Sequence, residues 1–443
     1  MTTTSARFGD HAGARIGVIT TSYPRWPGDA AGGFVAGHVG YLRATGAEVE
    51  VIAIDDDGAV REAKVTRVAG GGLFYRGGAP EALEGGARAA VAALTVSARM
   101  TAAVARRARR WDAVVAHWLA PSALAAVIAA PRQPLLAIAH GGDVHLLARL
   151  RLLGPSLRLL HARGATVAFV SEAMRARALA SLPPHLAATL RTIVQPMGVD
   201  DHATDAIRAA RAVQPAPTTF TTTSPATLLI LARLVPIKSI ATAIAALPYL
   251  ATPARLVIAG EGPERATLMA AADALDGRNE PDRRTQRDDR REGDRGMRRG
   301  DGRDQPRVRF LGQVDAVARD RLLAGADAVL VPSAPRPDGR DEGTPMAALE
   351  ALAAGVRVIA SATGGLVELA RHGAVLVPPN DVPALAAAID HALAVAPAPV
   401  AEVGWSVAGR VLDEAWRRVP RYAPAAHTTQ ARLATRSDRP VYR

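Results

Sequence analysis

The 443-residue sequence predicts two α/β domains, each a parallel sheet with helices on its faces, facing one another across a cleft. Three observations carry that expectation. Short apolar runs alternate with alanine- and leucine-rich helical segments through the first half of the chain. A Pro- and Thr-rich stretch, Val213 to Pro225, then interrupts the alternation, and after it the alternation restarts. The domains are accordingly placed at 14–210 and 227–400, with 211–226 as a linker and 401–422 as a helix packing back on the N-terminal domain. A single core rarely serves more than about 250 residues, so two cores are required.

In chain order, the first domain is expected to hold strands at Arg15 to Thr20, Val49 to Ile54, Ala113 to His117, Leu135 to Ala139, Thr166 to Val170 and Thr192 to Val194. Helices such as Phe34 to Arg43 and Ser122 to Ala130 separate some of them. The second domain repeats the pattern with strands at Leu228 to Ala232, Arg255 to Ala259, Val308 to Leu311, Ala328 to Val331, Val356 to Ala360 and Ala374 to Val377. One segment breaks the rhythm. From Asp276 to Pro306 the chain is almost wholly Arg, Asp, Gly and Glu, with Met297 as its one large apolar residue, a composition that cannot offset the entropy of ordering. A disordered Arg/Asp-rich insertion in a surface loop of the C-terminal domain is expected there, and a disordered tail at 425–443.

Composition bounds the function. The absence of cysteine excludes disulfides, thiolate metal sites and a cysteine nucleophile, and is compatible with a reducing compartment. The polar start, Met1 to Gly13, lacks the apolar segment of a signal peptide. The most apolar helical stretches are broken by Arg88 and Arg99 or by Pro121, short of the roughly 20 residues a bilayer span needs. A cytoplasmic protein is expected, peripheral at the inner face of the plasma membrane at most. The net charge of +12 leans toward the N-terminal half, which suits an anionic lipid surface or a phosphorylated acceptor about as well as nucleic acid. No nucleic-acid partner is expected, because the charged insertion lacks the aromatic residues that stack bases.

The chemistry-bearing residues lie in two groups. Only two of the 54 basic residues are lysines, Lys64 and Lys238, and Lys238 follows Arg233 directly after an apolar run that reads as a strand. A compact ammonium beside a guanidinium fork is a combination that a diphosphate requires. Farther on comes Asp341-Glu-Gly-Thr-Pro-Met-Ala-Ala-Leu-Glu350-Ala-Leu-Ala-Ala-Gly355. Thr344 is expected to cap a helix whose first residue is Pro345 and whose stop is Gly355. Glu342 then sits just before the helix and Glu350 inside it, where a carboxylate needs donors such as the vicinal hydroxyls of a ribose or sugar.

This spacing resembles the Glu-x7-Glu motif of retaining glycosyltransferases with the two-domain GT-B fold, in particular glycosyltransferase family 4 (group 1). Other pieces follow in the family's order: Gly32-Gly33, His140-Gly-Gly-Asp143, Pro196-Met-Gly-Val-Asp200, Gly260-Glu-Gly-Pro263, Phe310-Leu-Gly312, Val331-Pro-Ser333 and Thr363-Gly-Gly-Leu-Val-Glu368. The resemblance covers nearly the whole chain. Met197 stands where the family often has asparagine. It implies two Rossmann-like domains and metal-independent transfer of a sugar from a nucleoside-diphosphate sugar to a saccharide or lipid-linked acceptor, as in bacterial exopolysaccharide transferases. Arg233 and Lys238 would neutralise the leaving diphosphate, Glu342 would face the donor sugar, and Glu350 would hold the ribose. Gly343, Thr344, Pro345 and Met346 would touch the donor through their backbone, Gly33 would let the chain approach the phosphates, and His140 would sit at the sugar. Asp143 and His117 are the acceptor-side candidates. A nucleotide-sugar epimerase of similar architecture, or a non-catalytic nucleotide-sugar or RNA-binding protein using Arg278 to Arg309, remains the alternative at this point.

Overall fold

The computed structural model describes residues 11, 13–29, 31–55, 58–70, 72, 87–213, 220–277, 306–396 and 400–417. The expected insertion, apart from its ends, and the expected tail lie outside these residues. In the first domain the strands are β1 (Arg15–Thr20), β2 (Glu48–Asp55), β3 (Val65–Ala69), β4 (Ala113–His117), β5 (Leu135–Ala139), β6 (Thr166–Phe169) and β7 (Arg191–Val194). They form one parallel sheet in the order β3-β2-β1-β4-β5-β6-β7. The second domain holds β8 (Ala226–Leu231), β9 (Ala254–Ala259), β10 (Val308–Gly312), β11 (Ala328–Val331), β12 (Arg357–Ser361) and β13 (Val375–Val377). These six are again parallel, in the order β10-β9-β8-β11-β12-β13.

Helices cover both faces of a parallel sheet, so its inner strands are near-continuous apolar runs. The five residues of β5, Leu-Leu-Ala-Ile-Ala, are all buried. The expected strands follow from that rule, and β3 escapes it because it is an edge strand: Lys64 precedes it, Arg67 lies within it, and only Val68 is fully buried. The strand order reverses between β1 and β4 and again between β8 and β11. Those reversals open a crevice beyond the carboxyl ends of the strands, the place where an open α/β sheet receives its ligand.

The helix expected over Ser122 to Ala130 is shorter than that. A π-helical turn spans Leu119–Ala123 and the α-helix runs only over Leu124–Ala129. Ala120 takes extended angles, φ −130° and ψ 138°, because the ring of Pro121 crowds the helical region for the residue before it.

The chain returns to the first domain at its end. The helix Trp405–Arg417 packs on the helix Gly33–Ala44, with Trp405, Ala408 and Leu412 buried. Gly37 makes room for the indole, since a Cβ there would lie 2.2 Å from Trp405 Nε1. Tyr41 Oη donates to Asp413 Oδ2 at 2.8 Å, and His11 Nε2 lies 3.0 Å from Asp413 Oδ1. Asp201 holds the start of the returning helix by accepting from the Ser406 amide (2.9 Å) and hydroxyl (3.1 Å). Replacing Trp405 with alanine removes the largest side chain of this contact. The expected cost is about 3 kcal/mol, read as a lower urea midpoint. An unchanged midpoint would mean that the returning helix contributes nothing to the fold.

Candidate active site

The second-domain half of the site is built from the loops that follow β8, β11 and β12. After β8, a single 3-10 turn, Pro236–Lys238, ends on Ser239 in the left-handed region (φ 43°), and the Ser239 hydroxyl donates to Asn380 Oδ1 at 2.8 Å. This fixes the backbone from which Lys238 projects. Its Nζ donates to Glu342 Oε2 at 2.7 Å, and Ser333 Oγ, just past β11, donates to the same oxygen at 3.0 Å. Arg233 is exposed in the loop that leads into this turn.

Glu342 is held by its backbone as well. Its amide donates to Asp341 Oδ1 (2.8 Å), the oxygen that also accepts from Thr363 Oγ1 (2.7 Å), and its carbonyl accepts from the Gly365 amide (2.9 Å). Gly364 (φ 50°) and Gly365 permit this approach: a Cβ would lie 2.3 Å from the Glu342 carbonyl oxygen in the first case and 2.8 Å from that of Gly343 in the second. A small recess lined by Ala232, Lys238, Ser333, Pro345 and Ala347 closes the ends of β8 and β11.

The helix after Glu342 runs over Met346–Ala353, one residue later than expected. Pro345 occupies the cap position and no side chain caps the amides. Thr344, expected as the cap, instead donates its hydroxyl to the Val170 carbonyl of the first domain at 2.9 Å. The threonine joins the two domains rather than closing the helix. The N–H groups of the first turn, with the positive end of the helix dipole, adjoin the recess that Pro345 and Ala347 line.

Glu350 has a protein partner that its sequence context does not show. Arg319, on the helix Ala316–Ala324, donates Nη1 to Glu350 Oε1 at 3.0 Å and also bonds Asp320. Burial pushes the Glu350 carboxyl up from the usual carboxylate range, and Arg319 acts against that push.

The first-domain half centres on His140, directly after β5. Its ring meets Phe34 and Trp118 at centroid distances of 4.9 and 4.7 Å, and its Nε2 lies 3.0 Å from His117 Nδ1. His117 Nε2 in turn lies 3.1 Å from His38 Nδ1. Burial lowers the histidine pKa values, to about 4 for His38 and to about 3 for His140, and well below the ordinary value for His117. All three rings are therefore neutral at neutral pH. Gly32 (φ 72°) turns the chain into the Gly33–Ala44 helix against the Ser22 backbone, while a Cβ at Gly33 would meet nothing within 4 Å.

Two acceptor-side expectations are corrected here. His117 is fully buried between His38 and His140 and has no face toward an acceptor. Asp143 is 5% exposed and spends its carboxylate on the amides of Leu119 (2.6 Å) and His140 (3.1 Å). Both residues hold His140 in place. Residues not foreseen as part of the site are His38, Phe34, Trp118, Ser333 and Arg319. His38 carried a readable signal, a polar residue on the apolar stripe Val35, Val39 and Leu42 of an amphipathic helix.

The two halves meet. A Cβ at Gly343 would lie 3.8 Å from the His140 carbonyl oxygen, which puts the Glu342 loop directly opposite the histidine. Arg177 Nη1 donates to the Gly339 carbonyl at 2.6 Å, and the Glu172 amide donates to Glu368 Oε1.

Two family models match the chain, one on each side of this cleft. Residues 31–192 match the glycosyl transferase 4-like domain, and residues 286–394 match the glycosyl transferases group 1. The chain is similar to glycosyltransferases in both domains and has their two-domain GT-B fold. Its fold is shared with the Anabaena HepE protein in complex with UDP and glucose (TM-score 0.56, 19% identity, 92% of this chain and 95% of that one). It is shared equally with a sucrose-phosphate synthase from Thermosynechococcus elongatus (0.57, 21%, 92% and 94%). A third neighbour is a UDP-forming trehalose-phosphate synthase from Burkholderia xenovorans (0.60, 16%, 92% and 99%). No curated protein matches the sequence.

The Arg319–Glu350 contact makes a prediction about pH. A carboxyl whose folded pKa is raised contributes stability below its unfolded pKa and loses it as pH rises through the folded one. Arg319→Met removes the opposing charge, so it should cost about 2 kcal/mol at pH 7.5 and less at pH 4.5, where Glu350 takes up a proton. Adding Glu350→Gln should recover the loss. Urea melts at the two pH values check this, and a loss independent of pH would contradict it.

Proposed function

We propose that this enzyme transfers a sugar, with retention of anomeric configuration, from a nucleoside-diphosphate sugar to a saccharide or lipid-linked acceptor, without a metal ion. The observation that carries the reading is the meeting of Lys238, Glu342 and Ser333 at the β8/β11 crevice, opposite His140. The neighbours' bound UDP and UDP-forming chemistry favour a uridine nucleotide for this chain too.

As the bond from the anomeric carbon to the leaving oxygen breaks, negative charge grows on the outer phosphate. Lys238, Arg233 and the uncapped start of the Met346–Ala353 helix supply fixed positive charge there, and that charge favours the transition state over the ground state. The acceptor oxygen bonds the anomeric carbon on the face the phosphate leaves, and its proton passes to that phosphate.

In the absence of donor, Glu342 neutralises Lys238. A diphosphate competes for the ammonium, and the released carboxylate can then accept from a hydroxyl of the donor sugar. Glu350 holds the ribose, the backbone of Gly343 to Met346 touches the donor, and the open position at Gly33 lets the phosphates come close to the chain. His140 adjoins the sugar from the other domain.

No described helix is long and apolar enough to cross a membrane. The net charge of +12 favours peripheral contact with an anionic membrane face from the cytoplasm, where a lipid-linked acceptor would be presented.

Lys238→Ala and Glu342→Ala are each expected to lower kcat about 100-fold or more while leaving the melting temperature within a few degrees. Product formation from radiolabelled sugar nucleotides, with the anomeric configuration read by NMR, checks both rate and stereochemistry. Wild-type rates in both variants would sink the site, and an inverted product would sink the stereochemical reading.

A further inference from the structure

His38, His117 and His140 form an unbroken chain of imidazoles, and both of its links have hydrogen-bond length: 3.1 Å from His38 Nδ1 to His117 Nε2, and 3.0 Å from His117 Nδ1 to His140 Nε2. A neutral imidazole has one N–H and one lone pair. Each link therefore needs a proton on one of its two nitrogens and not on the other. Two arrangements satisfy both links: every ring protonated on Nδ1, or every ring protonated on Nε2. Any mixed assignment leaves two N–H groups or two lone pairs facing each other in a buried site, which is costly. The tautomer of His140 is thus tied to that of His38, two rings away.

The far end of the chain decides between the two. His38 lies flat on Trp405, with centroids 4.9 Å apart and an interplanar angle of 8°, so the returning helix fixes its ring. Asp413 lies on the same returning helix as Trp405 and accepts from Tyr41, which sits one turn after His38 on its own helix, so a carboxylate adjoins this end; among the described residues, His11 is the other titratable group there. The all-Nε2–H arrangement points every N–H dipole of the chain toward the His38 end. It leaves Nδ1, the nitrogen of His140 outside the chain, with a lone pair.

We propose that His38 and His117 are positioning residues that hold His140 as the Nε2–H tautomer, so that its Nδ1 accepts a hydrogen bond from a substrate hydroxyl in the cleft. The assignment rests on the placement of His140 at the sugar, and switching to the other tautomer moves each shared proton one ring along. A proton then appears on His140 Nδ1 for each one lost from His38 Nε2, so the total is unchanged.

The test is long-range proton–nitrogen NMR of the full-length, histidine-labelled enzyme without ligand at pH 7.5. The expected spectrum shows all three rings protonated on Nε2, and a His140 Nδ1–H population emerging in Asp413→Asn. Any one of the three rings protonated on Nδ1 in the wild type, or a His140 signal indifferent to Asp413→Asn, would overturn the proposal. Kinetics supply the second readout. His117→Leu should lower kcat about tenfold or more with little change in donor KM, and His117→Gln, whose amide can donate and accept at once, should recover most of it. Equal losses in the two variants would reduce the chain to packing. If the spectrum is as expected and no sugar nucleotide is turned over, the reading of the reaction fails and the tautomer coupling stands.

Discussion

The lysine at the end of β8 and the glutamate beyond β11 meet at 2.7 Å, and the rest of the site is arranged around that contact. Neither charge is fully exposed: the side chains keep 20% and 13% of their accessible surface. A half-buried pair of this kind is sustained only if the remaining capacity of the carboxylate is satisfied, and Ser333 provides the second donor. Each member arrives from a different strand end, which is possible because parallel strands deliver all their carboxyl termini to one edge of the sheet. The glycine pair after β12 then lets the chain close over the Glu342 backbone. The outcome is a lysine–glutamate pair, shared with the Ser333 hydroxyl, at the carboxyl ends of β8 and β11.

The opposing domain contributes geometry more than charge. His140 is wedged between Phe34 and Trp118 and anchored by Asp143 through its own amide. Behind it the imidazole chain runs to the helix that returns from the second domain. That helix does two things with one contact: Trp405 fills the space left by Gly37, and it supplies the flat surface on which His38 rests. Domain association and the setting of the site histidine consequently share residues. Thr344 adds a direct tie, from the loop after Glu342 to the Val170 carbonyl at the end of β6.

Much of this was legible in the residues. Buried parallel strands are apolar runs, so β1, β4, β5, β8, β9 and β11 announce themselves. The edge strand β3 does not, because Arg67 and Lys64 are tolerated where one side faces solvent. Lys238 and Glu342 stood out through rarity and spacing, and they come together in space. What failed was the prediction of burial. His117 and Asp143 share polar chemistry with true cleft residues, and only the depth of the β4 and β5 ends shows that they face inward. Thr344 failed for a related reason: capping preference is a local property, and a carbonyl from the other domain outcompeted it. Arg319 lies 31 positions from Glu350 on a different helix, a pairing that no local pattern records.

The central claim is that Lys238 is an anion-binding ammonium held in reserve by Glu342. Its most direct test is the thermal stability of the purified protein titrated with UDP-, GDP- and ADP-sugars, because a ligand that binds only the folded state must raise it. The account predicts a concentration-dependent rise with one of these donors that is lost in Lys238→Ala. A rise of the same size in that variant, or no rise with any donor, would contradict it.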